Sequence, residues 1–397
     1  MDKNLKQGVF NLSLVSKSQG AFLGSAVGDA LGWPQEDRAQ RVGEPATRQD
    51  GRGLLFQTWV RRSGGRFLAH EETILPGEYS DDTQLILSVA RSRLRGSNWW
   101  EHLVARELPT WSLYERGGGG ATKRAVDSWV SGRPPWTGDR RRTEGSMYFQ
   151  AGGNGVAMRI APHCVIGAKS ENFSRVGTNI ILDGIATHGH PRALLGANAY
   201  GYALWTALRQ TDTLKYGQLI KKTLSGSDEW SRLPDVENFP HGWSKAASEL
   251  TQDGYKRIWA QTVREMVSLL EIAEQGLGEG ALSIDREILE KMGCFDRKTN
   301  GSGTIAAASS VFLASRYAAD PLHGFLEAAF SKGADTDTIA SMMGGILGAL
   351  AGIEAIKELS EGIQDGEYLR SIAEQAAAFE VTEDTLHPID QVTKSSL

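Results

Sequence analysis

The stretch "KGADTDTIASMMGGILGALAG", residues 332–352, sets two aspartates and two threonines ahead of a long run of small apolar residues. Such a run suits a helix packed close and dry, and a carboxylate beside it has to be solvated, paired or bound to a cation. Two readings stay open from these residues alone. Asp or Thr can cap the free N–H groups at the start of a helix expected over 338–358. Alternatively, Asp335, Asp337 and the hydroxyl of Thr338 are hard oxygen donors of the kind that Mg²⁺ or Mn²⁺ gathers around itself.

A second acidic stretch bears on the choice. "EYSDDTQLIL" (78–87) places adjacent Asp81 and Asp82 before another apolar run. Adjacent carboxylates repel and only one is needed as a cap, so a shared cation resolves the conflict. Packed with their N-termini at one end, the two helices would bring these acids together as a two-metal site. Packed otherwise, they carry two solvated caps.

Working outward, helical periodicity dominates. Apolar residues recur at helical spacing over 18–32, 83–95, 192–210 and 255–275, and further helices fit 304–318, 322–330, 338–358 and 366–379. "GRGLLFQTWV" (51–60) is the one stretch considered as a strand. Glycine, proline and polar clusters mark loops at 34–53, 61–80, 131–155, 225–245 and 293–303. No period of 20–50 residues repeats, which disfavours a solenoid. The expectation is an all-α fold: a single compact multi-helix domain over 18–385, with 225–300 read as an inserted lobe and 1–17 and 386–397 as peripheral termini.

Composition narrows the function classes. The 397 residues, 40% hydrophobic and 23% charged, suffice for a large core. The net charge of −5 argues against nucleic acid or an acidic membrane surface as the main partner, and the basic run at 139–145 reads as a solvated loop. Cys164 and Cys294 form neither a disulfide framework nor a metal-ligand spacing, which suits a reducing compartment. The N-terminus lacks the apolar core of a signal peptide, and the apolar 342–356 is too short to span a bilayer. A cytoplasmic protein is expected.

Glycine-rich bends are the remaining candidates. "GGNGVAMRIAP" (152–162) and "RGGGGATKR" (116–124) can cradle phosphate through exposed N–H groups, or can simply turn the chain. "THGHP" (187–191) holds two histidines, His188 and His190, suited to a metal or to structural hydrogen bonds. No GxSxG elbow is present, which disfavours covalent serine catalysis.

In this order the pieces resemble one family, the ADP-ribosylglycohydrolases, including the hydrolase acting on ADP-ribosylated dinitrogen reductase. The matching stretches are "GSAVGDALGWPQE" (24–36), "YSDDTQL" (79–85), "GNGVAMR" (153–159), "THGHPRA" (187–193) and "GADTDTIASMMGGILGALAG" (333–352). The resemblance implies an all-α fold with two divalent cations, Mg²⁺ or Mn²⁺, in a cleft. It carries metal binding onto Ser80, Asp81 and Asp82 and onto Asp335, Asp337 and Thr338. It places a functional glutamate at Glu36 and the substrate loop at Asn154, Gly155, Met158 and Arg159, with Gly118, Gly119, Gly120 and His188 joining the substrate list.

Glu36 and Asp82 are the candidates to activate water or protonate the leaving group. The implied activity removes ADP-ribose from a modified protein, arginine-linked first. Serine-linked or O-acetyl-ADP-ribose, or an immunity role blocking a cognate ADP-ribosyltransferase, are the alternatives. "RGGGG" (116–120) stands where some arginine-specific members carry an acid, so the leaving group stays open.

Overall fold

The structure is a computed structural model that describes residues 12–44, 56–64, 68–137, 143–252, 254–280 and 284–380. The expected termini at 386–397 and most of 1–17, the first half of the expected strand and much of the basic run lie outside the described residues. The helices needed below are α1 (Leu14–Gly32), α2 (Asp81–Arg93), α3 (Gly120–Val130), α4 (Ala161–Ile166), α5 (Ser174–Ile185), α6 (Pro191–Arg209), α7 (Tyr255–Gly278), α8 (Gly303–Tyr317), α9 (Pro321–Ala329), α10 (Thr336–Ile356) and α11 (Gly366–Ala378).

The centre is a pair of antiparallel helices in backbone contact. Along α1, Gly20, Gly24, Gly28 and Gly32 recur every fourth residue, which lines one helix face. A Cβ on Gly20, Gly24, Gly28 or Gly32 would sit 2.0–2.3 Å from the carbonyl oxygen of Gly348, Gly344, Ala340 or Thr336 of α10. Only a hydrogen fits at that spacing. The small residues of 332–352 thus let α10 lie directly on α1, at the middle of a body closed by α6, α8, α9 and α11. At 21 residues α10 is long and apolar enough to cross a membrane, longer than the stretch read from sequence, but it is mostly buried inside the protein.

The eight expected helices are present, with ends shifted by at most four residues; α1 starts at Leu14 and buries Lys17. Helix α7, in the segment 225–300, packs on α6 and α8. The segment joins the body through aromatic contacts in which Trp243 Nε1 donates to Tyr148 Oη at 2.8 Å and Tyr255 Oη donates to the carbonyl of Gly189 at 3.0 Å.

The strand expectation needs correcting. A three-stranded antiparallel sheet runs β1 (Arg41–Val42), β2 (Trp59–Ser63) and β3 (His70–Ile74), mostly inside stretches expected as loops. Its strands are short and charged, so they lack the alternating apolar signal. Cross-strand pairing holds them instead: Arg61 opposes Glu72 with a 3.4 Å ion pair, and Trp59 and Ile74 close over Trp33. The loops expected at 131–155 and 225–245 likewise contain short helices, Thr143–Gln150 and Ser227–Trp230, too brief to show a period.

Candidate active site

The α1–α10 pair sets the positions of both acidic helix starts. At the start of α2 the N-cap is Ser80, whose Oγ accepts the Asp82 N–H at 3.4 Å. At the start of α10 the N-cap is Asp335, but its side chain makes no capping bond. Capping therefore does not account for Asp81, Asp82 or Asp335. The start of α2 is pinned to α1 by Asp29, a residue to which the sequence pattern assigned no role. Asp29 is fully buried; its Oδ1 accepts the Ser80 N–H at 3.0 Å, and its Oδ2 accepts the N–H and hydroxyl of Thr83 at 2.9 and 2.7 Å. The available sign was a lone aspartate inside the glycine-spaced helix "GSAVGDALG".

The acidic starts of α2 and α10 meet. The Thr338 hydroxyl donates to Asp82 Oδ2 at 3.3 Å across 256 positions of sequence. Carboxylate oxygens of Glu36, Asp335 and Asp337 lie within 4.8 Å of one another. Asp81, Asp82, Asp335 and Asp337 are each at most 5% exposed. Packing so many acids out of water costs free energy unless protons or cations neutralise them. Burial, with Asp335 next, raises Glu36 to about 8, and burial with Asp29 and Glu115 raises Asp81 to about 8. Asp82 and Asp337 are pushed well above the carboxylate range by burial first and neighbouring acids second.

Among the described residues one cation reaches the group. Arg38 stands 3.8 Å from both Glu36 and Asp335 and is 61% exposed. Buried Asp82 Oδ1 has no hydrogen-bond partner. An orphaned carboxylate oxygen among crowded acids and a hydroxyl is the donor chemistry of a hard divalent cation, so the residues present fit one.

These acids form the floor of a cleft of about 590 Å³ whose other walls are the two glycine-rich loops and the sheet. A family model described as ADP-ribosylglycohydrolase matches residues 11–385. The chain belongs to the ADP-ribosylglycohydrolase family. Its fold is that of a solved structure titled "ADP-ribosylglycohydrolase-related protein complex", with TM-score 0.56 and 20% identity over 92% of this chain and 98% of that one. No curated protein matches the chain. Membership of the ADP-ribosylglycohydrolases places its chemistry among hydrolases of that type, a generally metal-dependent group.

Within this ADP-ribosylglycohydrolase cleft the remaining candidates fall into two sets. Asn154, Gly155, Met158, His188 and Gly118 to Gly120 line it. The Asn154 Nδ2 is buried with no partner, a donor left for a ligand. Helix α3 begins at Gly120, at the cleft wall, with Gly119 as N-cap and no side-chain cap on its first N–H groups. The Gly118 N–H is already taken by Glu115 Oε2 at 2.9 Å. Gly117, beside Trp33 and Asp81, turns the loop at φ +87°, a conformation that favours glycine. His188 is held neutral, burial lowering its pKa to about 3, and its Nδ1 pairs with the Thr187 hydroxyl at 2.8 Å. His190 caps α6.

Ser80 and Arg159 do not line the cleft. Ser80 acts on it through its cap. Arg159, expected to touch substrate, is 0% exposed and points inward, donating to Asp183 Oδ1 at 2.8 and 2.9 Å. Its Nη1 donates to the carbonyl of Gly155 at 3.1 Å, so it braces the glycine-rich loop of the cleft wall from behind. A sequence pattern shows that an arginine stands beside a glycine loop, not which way the guanidinium turns.

Proposed function

We propose that the protein is a metal-dependent hydrolase that removes ADP-ribose from modified protein side chains, arginine first, reversing mono-ADP-ribosylation in the cytoplasm. The observation that carries this reading is one cleft with a cluster of buried acids on its floor and an uncapped helix N-terminus in its wall. The first suits the ribose and its cations, the second the diphosphate. Two Mg²⁺ or Mn²⁺ ions held by Asp81, Asp82, Asp335, Asp337 and Thr338, with Ser80 positioning Asp82 through its cap, would supply Lewis acidity and a water of lowered pKa.

The chain's own groups do the rest. The N–H groups at the start of α3 and the free Asn154 Nδ2 hold the diphosphate end. Glu36, beside Asp335 and Asp337 at the cleft edge, takes the proton of the attacking water, with Asp82 the second candidate. The water oxygen joins the anomeric carbon, the carbon–nitrogen bond to the guanidinium breaks through an oxocarbenium-like state, and the proton passes to the leaving nitrogen. Arg38 supports arginine as the leaving group, because the cleft already seats one guanidinium between Glu36 and Asp335.

A second reading, serine-linked or O-acetyl-ADP-ribose, draws on Glu115. This acid at the cleft wall is engaged by Lys123 Nζ at 2.8 Å as well as by the Gly118 N–H, which lowers its pull on a cationic leaving group. Defined arginine-, serine- and acetyl-linked substrates, each with Mg²⁺ or Mn²⁺, decide between them. Arginine-linked ADP-ribose should be cleaved fastest, and Asp337→Ala should lose both bound metal by elemental analysis and nearly all turnover. Full metal occupancy in Asp337→Ala overturns the assigned site, and faster serine cleavage overturns the arginine assignment.

A further inference from the structure

A second cavity, of about 400 Å³, lies away from the cleft, where the end of α2 meets α4, the start of α5 and the residues after α11. Arg93, the last residue of α2, lines it at 5% exposure. Among the described residues this guanidinium makes no hydrogen bond and no ion pair; its Nε is buried without a partner. It lies over the face of Trp99, 4.8 Å from the ring centre. Burial lowers its pKa to about 10, and the more distant Asp183 offsets only part of that cost, the physical sign of a charge taken from water without a paired counter-ion. His163, also lining the cavity, leaves Nδ1 buried and unpaired. Lys169 and Arg175 stand exposed at the rim, and among the described residues Glu380 is the one acid on the wall. Ile166, Val176 and Phe379 supply an apolar side.

A buried, unpaired cation is costly, so its retention calls for an explanation, and a bound anion is one that the cavity beside it allows. We propose that this cavity binds a small organic phosphomonoester, its phosphate on Arg93, Lys169 and Arg175 and its apolar part against Val176 and Phe379. Among the described residues, three cations against Glu380 leave an excess of two positive charges. A phosphomonoester carries about −1.5 to −2 at neutral pH and offers three acceptor oxygens, whereas a carboxylate carries half that charge.

Phenyl phosphate and benzoate, titrated by calorimetry into the full-length protein with chelator present, test the assignment. Phenyl phosphate should bind at one saturable site, benzoate more weakly. Lys169→Glu and Arg175→Glu, both on exposed positions and neither in the catalytic cleft, should each weaken phenyl phosphate by about tenfold or more, the value of one charge-assisted hydrogen bond. Arg93→Gln should abolish binding, and the two surface variants keep the test decisive if that one folds poorly. Absence of saturable binding up to about 10 mM, unchanged affinity in both surface variants, or benzoate binding as tightly as phenyl phosphate each overturns the proposal.

Discussion

Arg159 shows how one side chain's direction separates ligand binding from support. With Asp183 it forms a fully buried ion pair, and His163 Nε2 completes the group at 3.0 Å from Asp183 Oδ2. Burial alone would raise Asp183, but Arg159 and His163 outweigh it and hold its pKa below the usual carboxylate range. Removing one partner of a buried pair strands the other, so Arg159→Met should cost about 3–5 kcal/mol in denaturant unfolding. A variant of full stability that has lost ADP-ribose affinity would instead make Arg159 a ligand contact. Glu36 makes the opposite case, since it faces the cleft. Glu36→Gln should keep ADP-ribose affinity by calorimetry while kcat falls by about 10²–10⁴; turnover at the wild-type rate removes Glu36 from the chemistry.

At the scale of elements, α1 and α10 form one unit because glycine faces backbone. In Gly28→Ala the new Cβ would meet the Ala340 carbonyl oxygen at 2.0 Å, a contact no rotamer relieves. The helices have to part, costing about 1–3 kcal/mol or more. Asp29 follows directly and holds the Ser80 and Thr83 N–H groups, so the strain passes to the start of α2 and activity should fall with stability. Gly366→Ala is the control: nothing lies within 4 Å of its Cβ, and its stability should stay within about 0.5 kcal/mol of wild type. Equal effects of the two substitutions would show that close approach is not what the glycines serve.

Across the whole molecule, pH acts on two buried populations with opposite signs. His163 and His188 are held neutral by burial, with pKa values of about 4 and about 3 against 6.5 for the free side chain. The unfolded chain protonates first, so their contribution is complete above about pH 6.5 and drains away as pH falls toward 4. The cleft acids, raised by burial, do the reverse in metal-free protein: the folded state takes up protons first, and stability rises as pH falls from about 8 toward 4. Comparison with His163→Asn cancels the acids, because both proteins carry them. The stability advantage of wild type should shrink by about 1 kcal/mol per pH unit between 6 and 5, read by denaturant unfolding. A constant advantage means that His163 titrates as in the unfolded chain, and a growing one that Asp183 holds it charged; either outcome overturns the neutral assignment.

Local pattern determined the helices, because an amphipathic or small-residue stripe writes its period into ten or twenty consecutive residues; the small residues of 332–352 also announced close packing, though not its partner. Sequence likewise marked both acidic stretches, since a carboxylate pair before an apolar run is a local conflict wherever the chain puts it. What it could not determine is anything that depends on direction or on distant partners. The meeting of Asp82 with Thr338 across 256 positions, the inward turn of Arg159, the Glu115 carboxylate spent on Lys123 and the uncompensated Arg93 follow from how the packed helices aim their side chains. The short charged strands escaped for the same reason: Arg61 and Glu72 stabilise a sheet only after the chain has folded back to set them opposite one another.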